Sequence, residues 1–270
     1  MPRYTIDYQV HSLRSHDGTA TIHQMCREAV RRGLHEIGFS EHKDFDPADP
    51  VVNHFDYHRF AREIDKAREA FAGSLRIRMG VEIDYQRWFE DVIARYLDEH
   101  PFDYVIGSVH YVDRQMLMTP EYLASRTPHK AWSDYFNAVR HSVESGLIDI
   151  VGHLEYANRR AVTALGPWDP SPYEGHAARL FRAMIRHGTA LEINSAGLRQ
   201  GVGHTYPCEH HIRMYRRLGG TRITFGSDAH TPDDLAHRFE EVYNLAHRCG
   251  FVEQTLYSQR TPVQQPLFIP

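Results

Sequence analysis

FDYVIGSVH, residues 102–110, is a nearly unbroken apolar run that ends in a histidine. Such a run fits a strand buried on both faces, which places it in a parallel sheet wrapped by helices rather than in a half-wet antiparallel one. Six further runs of the same character flank it: YTIDYQV (4–10), EIGFS (36–40), LRIRMGVEI (75–83), LIDIVG (147–152), TALEIN (189–194) and TRITFGS (221–227). Amphipathic stretches separate them. In TATIHQMCREAVRRGL (19–34), Thr19 or Thr21 is a helix-cap candidate, Ile22, Cys26, Ala29 and Val30 form an apolar stripe, and Gly33 is the stop. HRFAREIDKAREAFAG (58–73) ends in the same way at Gly73. Seven strand–helix units predict an α/β fold whose sheet closes, or nearly closes, into a (β/α)7 barrel; an eighth unit is not evident. No solenoid-period repeat or Gly/Ser linker divides the chain, so residues 1–270 read as one domain. Two connections, 43–58 and 155–175, are long enough to predict functional lids.

Apolar residues make up 41% of the 270 and charged residues 24%, a balance that allows a sizeable core without disulfides or an obligatory metal. A formal charge of −4 and a pI near 6.6 give no general attraction for nucleic acid, so long nucleic acid is not expected as a partner. The arginine pairs at 31–32 and 216–217 read as solvated helix faces. Cys26, Cys208 and Cys249 are odd in number and form no CxxC pair, which argues against a disulfide framework or a thiolate zinc site and for a reducing compartment. MPRYTIDYQV is too polar for a signal peptide, and no apolar run approaches membrane-spanning length. The expectation is a cytoplasmic protein.

Barrel enzymes place their chemistry at the C-terminal ends of the strands. Here the first strand ends in Gln9 and His11, the second in Glu41 and His42, the third in Glu82, and the fourth in His110. The fifth ends in His153, the sixth in Glu192 and Asn194, the seventh in Asp228 and His230. A single strand-end histidine is usually a hydrogen-bonded packing residue. Packing has no reason to choose imidazole or carboxylate at seven edges in turn, so the set points to metal. Imidazole suits zinc, iron and manganese, and a carboxylate can bridge two cations; five histidines with at least two acids predict two or three divalent ions. A multinuclear site of that kind serves phosphoester hydrolysis, with a metal-bound hydroxide attacking phosphorus.

Other chemistries fit less well. A carboxylated-lysine amidohydrolase would often carry that lysine at the end of strand four, which here is His110. Cys26 and Arg32 have the Cys-to-Arg spacing of nucleophilic phosphatases but sit in a predicted helix, and Asp44 with Asp46 lies in a proline-broken loop; both are chance matches. No glycine-rich phosphate or dinucleotide loop follows a strand.

QVHSLRSHDG, GFSEH, GVEIDY, PFDYVIGSVHY, VGHLE, LEINSAGLR and GSDAH, in this order from Tyr8 to about Leu267, resemble the polymerase and histidinol phosphatase (PHP) family, and most closely its histidinol-phosphate phosphatase branch. The resemblance implies a distorted, TIM-like (β/α)7 barrel of the PHP type forming a metallophosphoesterase domain. It implies three ions: one at Gln9, His11, Glu82 and Asp228, a second at Asp17, His42 and His230, a third at Glu82, His110 and His153, with Glu82 bridging. Glu82, Asp228 and His230 are then the catalytic residues; the leaving alkoxide takes its proton from a metal-bound water or from His230. The implied metals are zinc, manganese or iron. This chain departs from the pattern twice. The family's opening His-x-His is Gln-x-His here, and an amide oxygen is a weaker, harder ligand that fits manganese or magnesium better than zinc. Asp17 stands where some members have histidine, with His16 as a competitor.

A phosphomonoester also needs cationic or backbone donors for its free oxygens. Arg199, Arg159 and Arg160 are the first candidates, with Lys43 and Arg14 behind them. Glu155, Tyr156, Tyr111 and Asp44 could supply an acid and an aromatic wall for an imidazole-and-amine alcohol such as histidinol. Glu192 and Asn194 are expected to orient ligands, and His204 and Tyr206 to enter from the following loop. The competing expectations are another PHP phosphoesterase, acting on nucleotides, oligonucleotide ends or phosphotyrosine, and a non-catalytic metal-binding module of which Gln9 is the first sign of decay.

Overall fold

The computed structural model describes residues 5–267. Tyr4, where the first strand was expected to begin, and the rest of the polar N-terminal tetrapeptide lie outside the described residues. Chain order runs β1 (Ile6–Val10), α1 (Ile22–Arg31), β2 (Glu36–Lys43), α2 (Tyr57–Ala70), β3 (Arg76–Asp84), α3 (Glu90–Glu99) and β4 (Tyr104–Ser108). The pair β5 (Tyr111–Val112) and β6 (Gln115–Met116) follows, then α4 (Pro120–Ala124), α5 (Pro128–Glu144), β7 (Ile150–Val151) and α6 (Asn158–Leu165). The remainder is α7 (Glu174–His187), β8 (Ala190–Asn194), α8 (Glu209–Arg217), β9 (Ile223–Gly226), α9 (Phe239–Arg248), β10 (Glu253–Ser258) and β11 (Thr261–Pro266).

All seven expected strands form one parallel sheet in the order β1-β2-β3-β4-β7-β8-β9. A parallel bridge between Val10 and Ala229, with His11 N–H donating to the Ala229 carbonyl at 2.8 Å, brings the last strand back to the first. The barrel is nearly closed, as the seven-unit pattern predicts. Two stacked tyrosines lie in its interior. Tyr104 stacks on Tyr8 at 4.8 Å, donates its hydroxyl to the Tyr8 carbonyl at 2.6 Å, and occupies the room left by Gly38 and Gly80 on β2 and β3. A Cβ on Gly80 would fall 2.3 Å from that ring, so glycine is required there by close approach.

Local signals explain the helix ends. Thr21 is the cap of α1, accepting the Gln24 N–H while the Gln24 side chain accepts from the Thr21 N–H, a reciprocal pair that satisfies two orphan donors. The predicted lid 155–175 is only partly a loop, because α6 occupies its first half; that helix is short, buries only Asn158 and Ala161, and is followed by Pro167, Pro170 and Pro172, so its periodic signal is weak. In place of an eighth unit the chain adds the antiparallel hairpin β10–β11, tied to the strands' N-terminal ends where Arg260 N–H donates to Asp103 O at 2.8 Å and its guanidinium meets Asp149. The cleft is left open at the other end. Among the described residues no helix is long and apolar enough to cross a membrane.

Candidate metal centre

β1 shifts register between Asp7, which pairs with Ile37, and Val10, which pairs with Phe39. Asp7 is thus turned to the Ser227 and Ala236 N–H groups while Gln9 and His11 come from the strand's end, and the parallel register of β2 and β3 brings the ends of its neighbours to the same level. Glu82, paired in register with His42 across β2 and β3, lies at the middle. Its Oε1 stands 2.9 Å from His153 Nε2, and its Oε2 stands 3.0 Å from His42 Nδ1 and 3.4 Å from His11 Nε2. His11 is sandwiched between the rings of His42 and His230, 4.3 Å from each, and its Nε2 is 3.5 Å from Asp228 Oδ1. Asp17 bridges the outer edge, 3.2 Å from His230 Nε2 and 3.6 Å from His42 Nε2. His110 sits 5.4 Å from the His153 ring. His11, His42 and His230 form one group whose donor atoms converge, and Glu82, His110 and His153 form another. Eight of the nine residues expected to hold metal therefore meet at one end of the barrel.

Do these residues fit divalent cations? His11 Nε2 and Glu82 Oε2 are buried without a hydrogen-bond partner, although imidazole and carboxylate ordinarily demand one. Both atoms face the cluster, and the imidazole-carboxylate mixture is the donor set for zinc, manganese or iron. They fit. The protonation pattern agrees, because imidazolium takes the place of cation charge. For His153, burial favours the neutral ring, yet the Glu82 hydrogen bond and charge outweigh it and push the pKa up to about 9. For His230, burial is likewise outweighed, here by Asp17 and Asp228, and the pKa rises to about 8. His42 is held well above its ordinary value against burial by Glu82 and Asp17. His11 goes the other way: burial, then the charges of His42 and His230, push it down to about 4. Burial also pushes His110 down to about 3.

Supporting residues fix the rings. Ser15 Oγ lies 3.1 Å from His11 Nδ1, accepts the His42 N–H at 3.0 Å, and donates to Glu41 Oε2 at 2.6 Å. Glu41 also accepts from Ser12, so this strand-end acid braces the loop after β1 instead of facing the cleft. Glu192 accepts the His153 N–H at 2.6 Å. Asn194 takes the Ala196 N–H on its Oδ1 at 2.8 Å, which turns its amide nitrogen to donate to Gln9 Oε1 at 2.7 Å. A backbone donor thus sets the orientation of both amides. The Gln9 oxygen is engaged by Asn194, and its buried Nε2 has no partner.

The substrate candidates divide. A cleft of about 870 Å³ over the cluster is lined by Arg159, Arg160, Tyr111, Tyr156, Asp44 and Asp234, among others. Arg199 reaches it too, but its guanidinium donates to the carbonyls of Ser227 and Asp228 at 2.6 Å each and pairs with Asp234 at 3.3 Å. Lys43 is not brought in: its ammonium donates to Val52 O and lies over Phe45 and Tyr96. Arg14 pairs with Glu63, and His204 contacts Asn158. Glu155, expected beside the substrate, is buried in the opposite direction against Cys208 and His211, a cluster that sequence reading did not anticipate. Burial pushes the Cys26 thiol up to about 12, which leaves no nucleophile in α1.

A parallel α/β barrel with converging imidazoles and carboxylates at its open end defines a metal-dependent hydrolase. The model of the PHP domain matches residues 7–196, and the chain belongs to the PHP family; it is a PHP-family metal-dependent phosphoesterase. It is 29% identical over 248 residues to a protein of Deinococcus radiodurans named a probable histidinol-phosphatase, covering 87% of this chain and 90% of the relative. A histidinol-phosphatase of Lactococcus lactis is 28% identical over 262 residues, with 94% of each covered. A crystal structure of histidinol phosphate phosphatase from Lactococcus lactis, complexed with zinc, L-histidinol and phosphate, superposes with a TM-score of 0.85 at 24% identity, covering 96% of this chain and 98% of that one.

Proposed function

We propose that this chain hydrolyses L-histidinol phosphate, as in histidine biosynthesis. The observation that carries the reading is the two-sided cleft: the cluster forms its floor, while acids and aromatic rings stand on its walls. Divalent cations held by His11, Asp17, His42, Glu82, His110, His153, Asp228 and His230 would supply a hydroxide nucleophile at neutral pH and neutralise charge on the phosphoryl group. The protein's own residues do the rest. Arg159 and Arg160, at the mouth, are placed to meet non-bridging oxygens. Tyr111 and Tyr156 offer flat walls to an imidazole, and Asp44 and Asp49 offer carboxylates to an ammonium. The Lactococcus relative bound to L-histidinol and phosphate supports a ligand with both ends. Arg199, by contrast, acts on the site through the Ser227–Asp228 backbone. Gln9 is the weak member of the metal set, since its oxygen is already committed to Asn194.

The test is phosphate release from histidinol phosphate, p-nitrophenyl phosphate and a dinucleotide by protein reconstituted in manganese and then in zinc. Turnover strongly favouring histidinol phosphate is expected. Activity confined to the other two would remove the substrate assignment and keep the phosphoesterase; silence on all three with metal bound would point to a non-catalytic module.

A further inference from the structure

β7 is two residues long and pairs at only two positions with each neighbour, so the ladder ends before it reaches His153. The backbone then leaves the sheet through positive φ at His153 (20°) and Glu155 (78°), conformations that residues with a Cβ adopt only when held there. Something outside the ladder must hold this turn. The structure shows what does. The Glu155 N–H donates to Tyr135 Oη at 2.9 Å. Its fully buried carboxylate reaches the N-terminus of α8, accepting the Cys208 N–H at 2.9 Å and meeting His211 Nδ1, with Cys208 Sγ at 3.5 Å. A helix N-terminus favours a carboxylate, and here it is delivered from another part of the chain.

We infer that Glu155 is a positioning residue of the metal centre: docked on α8, it fixes the turn that carries His153. The same turn carries Tyr156, whose ring lies 4.7 Å from His153 and 5.4 Å from His110, and leads into Arg159 and Arg160. Glu155 touches neither substrate nor the cluster. Its carboxylate oxygens are occupied by the Cys208 N–H and His211, so hydrogen bonding accounts for the Glu155–Cys208–His211 group without an ion of its own. The inference rests on the metal-centre reading and not on the identity of the substrate.

The test is a manganese titration of chelator-stripped full chain, with free Mn²⁺ read by electron paramagnetic resonance, alongside thermal melts of the metal-free proteins. Glu155→Ala is expected to weaken one class of Mn²⁺ site by about 10–100-fold, the effect typical of lost support around a ligand, while the others stay within about twofold. Glu155→Gln, which keeps an acceptor for the Cys208 N–H, should recover most of that loss. Tyr135→Phe, which removes only the acceptor for the Glu155 N–H, should weaken the same site several-fold and carries the test if the alanine variant fails to fold. A lower melting temperature with every Mn²⁺ affinity unchanged would overturn the inference, as would equal weakening of all sites. An additional Mn²⁺ in the wild type that disappears in Cys208→Ser would also overturn it, by making the buried group a metal site. Wild-type chain that takes up no Mn²⁺ would remove the metal-centre reading and the inference together; phosphate release plays no part in the readout.

Discussion

Loading the metal-free centre should expel protons, and their number follows from the cluster. Glu82, Asp228 and Asp17 each have burial opposing their charge, and in each the neighbouring imidazoles win, holding all three carboxyls well below the usual range. Three imidazoliums balance them: His42, His153 with its pKa of about 9, and His230 with about 8. A ligating nitrogen must give up its proton, so at pH 7 His153 releases ~0.99 proton and His230 ~0.9, and His42, held above its ordinary value, releases its proton as well. His11 at about 4 and His110 at about 3 are already neutral and release none. The two histidines with values of about 8 and 9 thus release about two protons at pH 7, His42 and any bound water that becomes hydroxide adding to them, and their share shrinks as pH rises through about 8 and 9. Overall apparent affinity should rise at least about a hundredfold per pH unit near neutrality. Calorimetric titration with Mn²⁺ in buffers of different ionisation enthalpy counts these protons directly. A count near zero, or one that does not shrink between pH 7 and 9.5, would refute the reasoning. The same shifts fix a sign for stability. The folded-state values of His153 and His230 lie above their ordinary 6.5, so their contribution is fully present below pH 6.5 and is lost as pH rises through about 8 and 9. Metal-free protein should therefore melt at lower temperature at pH 9.5 than at pH 6.5.

Three further outcomes are expected. Gln9→His should tighten the weakest Mn²⁺ site by roughly tenfold or more, as imidazole replaces an amide; Mn²⁺ titration showing three equally tight sites in the wild type would remove the premise. Arg199→Lys should lower kcat by about 10–100-fold with KM little changed, because one ammonium cannot span the Ser227 and Asp228 carbonyls and Asp234; a rise in KM alone would return Arg199 to the substrate. Gly80→Ala should cost about 1–3 kcal/mol in urea unfolding, since its Cβ would meet a Tyr104 ring pinned by the Tyr8 stack; no change in midpoint would mean that ring can yield.

The barrel was legible because its signal is local. Seven apolar runs of strand length, spaced by amphipathic stretches, leave few other ways to bury both faces, and strand ends are positions that can be named without coordinates. Directions were harder, although some signal existed. His42 and Lys43 are consecutive on β2, so if one faces the cleft the other must face away, and Lys43 does. The same alternation separates Glu41 from His42. Arg199 was recognisable as close to the site, but its commitment to backbone carbonyls 28 and 29 residues away was not. The Glu155–Cys208–His211 contact joins segments 53 and 56 residues apart, and nothing periodic links them. Loop 111–116 hid a small hairpin whose strands are two residues each, too short for any alternation to register.

Gln9 shows how a strand-end residue can belong to the site without being one of its stronger ligands. Asn194 has its oxygen fixed by the Ala196 N–H, so its amide nitrogen must find an acceptor, and Gln9 Oε1 is that acceptor. The two side chains tie the end of β1 to the end of β8, strands separated by β9 around the barrel. An imidazole at position 9 would supply a softer metal ligand, but its ring nitrogens would have to serve both a cation and the Asn194 donor. Glutamine satisfies Asn194 and leaves the cluster's charge unchanged, since neither amide nor neutral imidazole carries any. The balance of three carboxylates against three imidazoliums survives the exchange, and with it the proton-coupled binding of the remaining cations. What the exchange removes is one nitrogen donor beside His11, whose Nε2 is buried and unpartnered, so weaker metal binding should be local to that position.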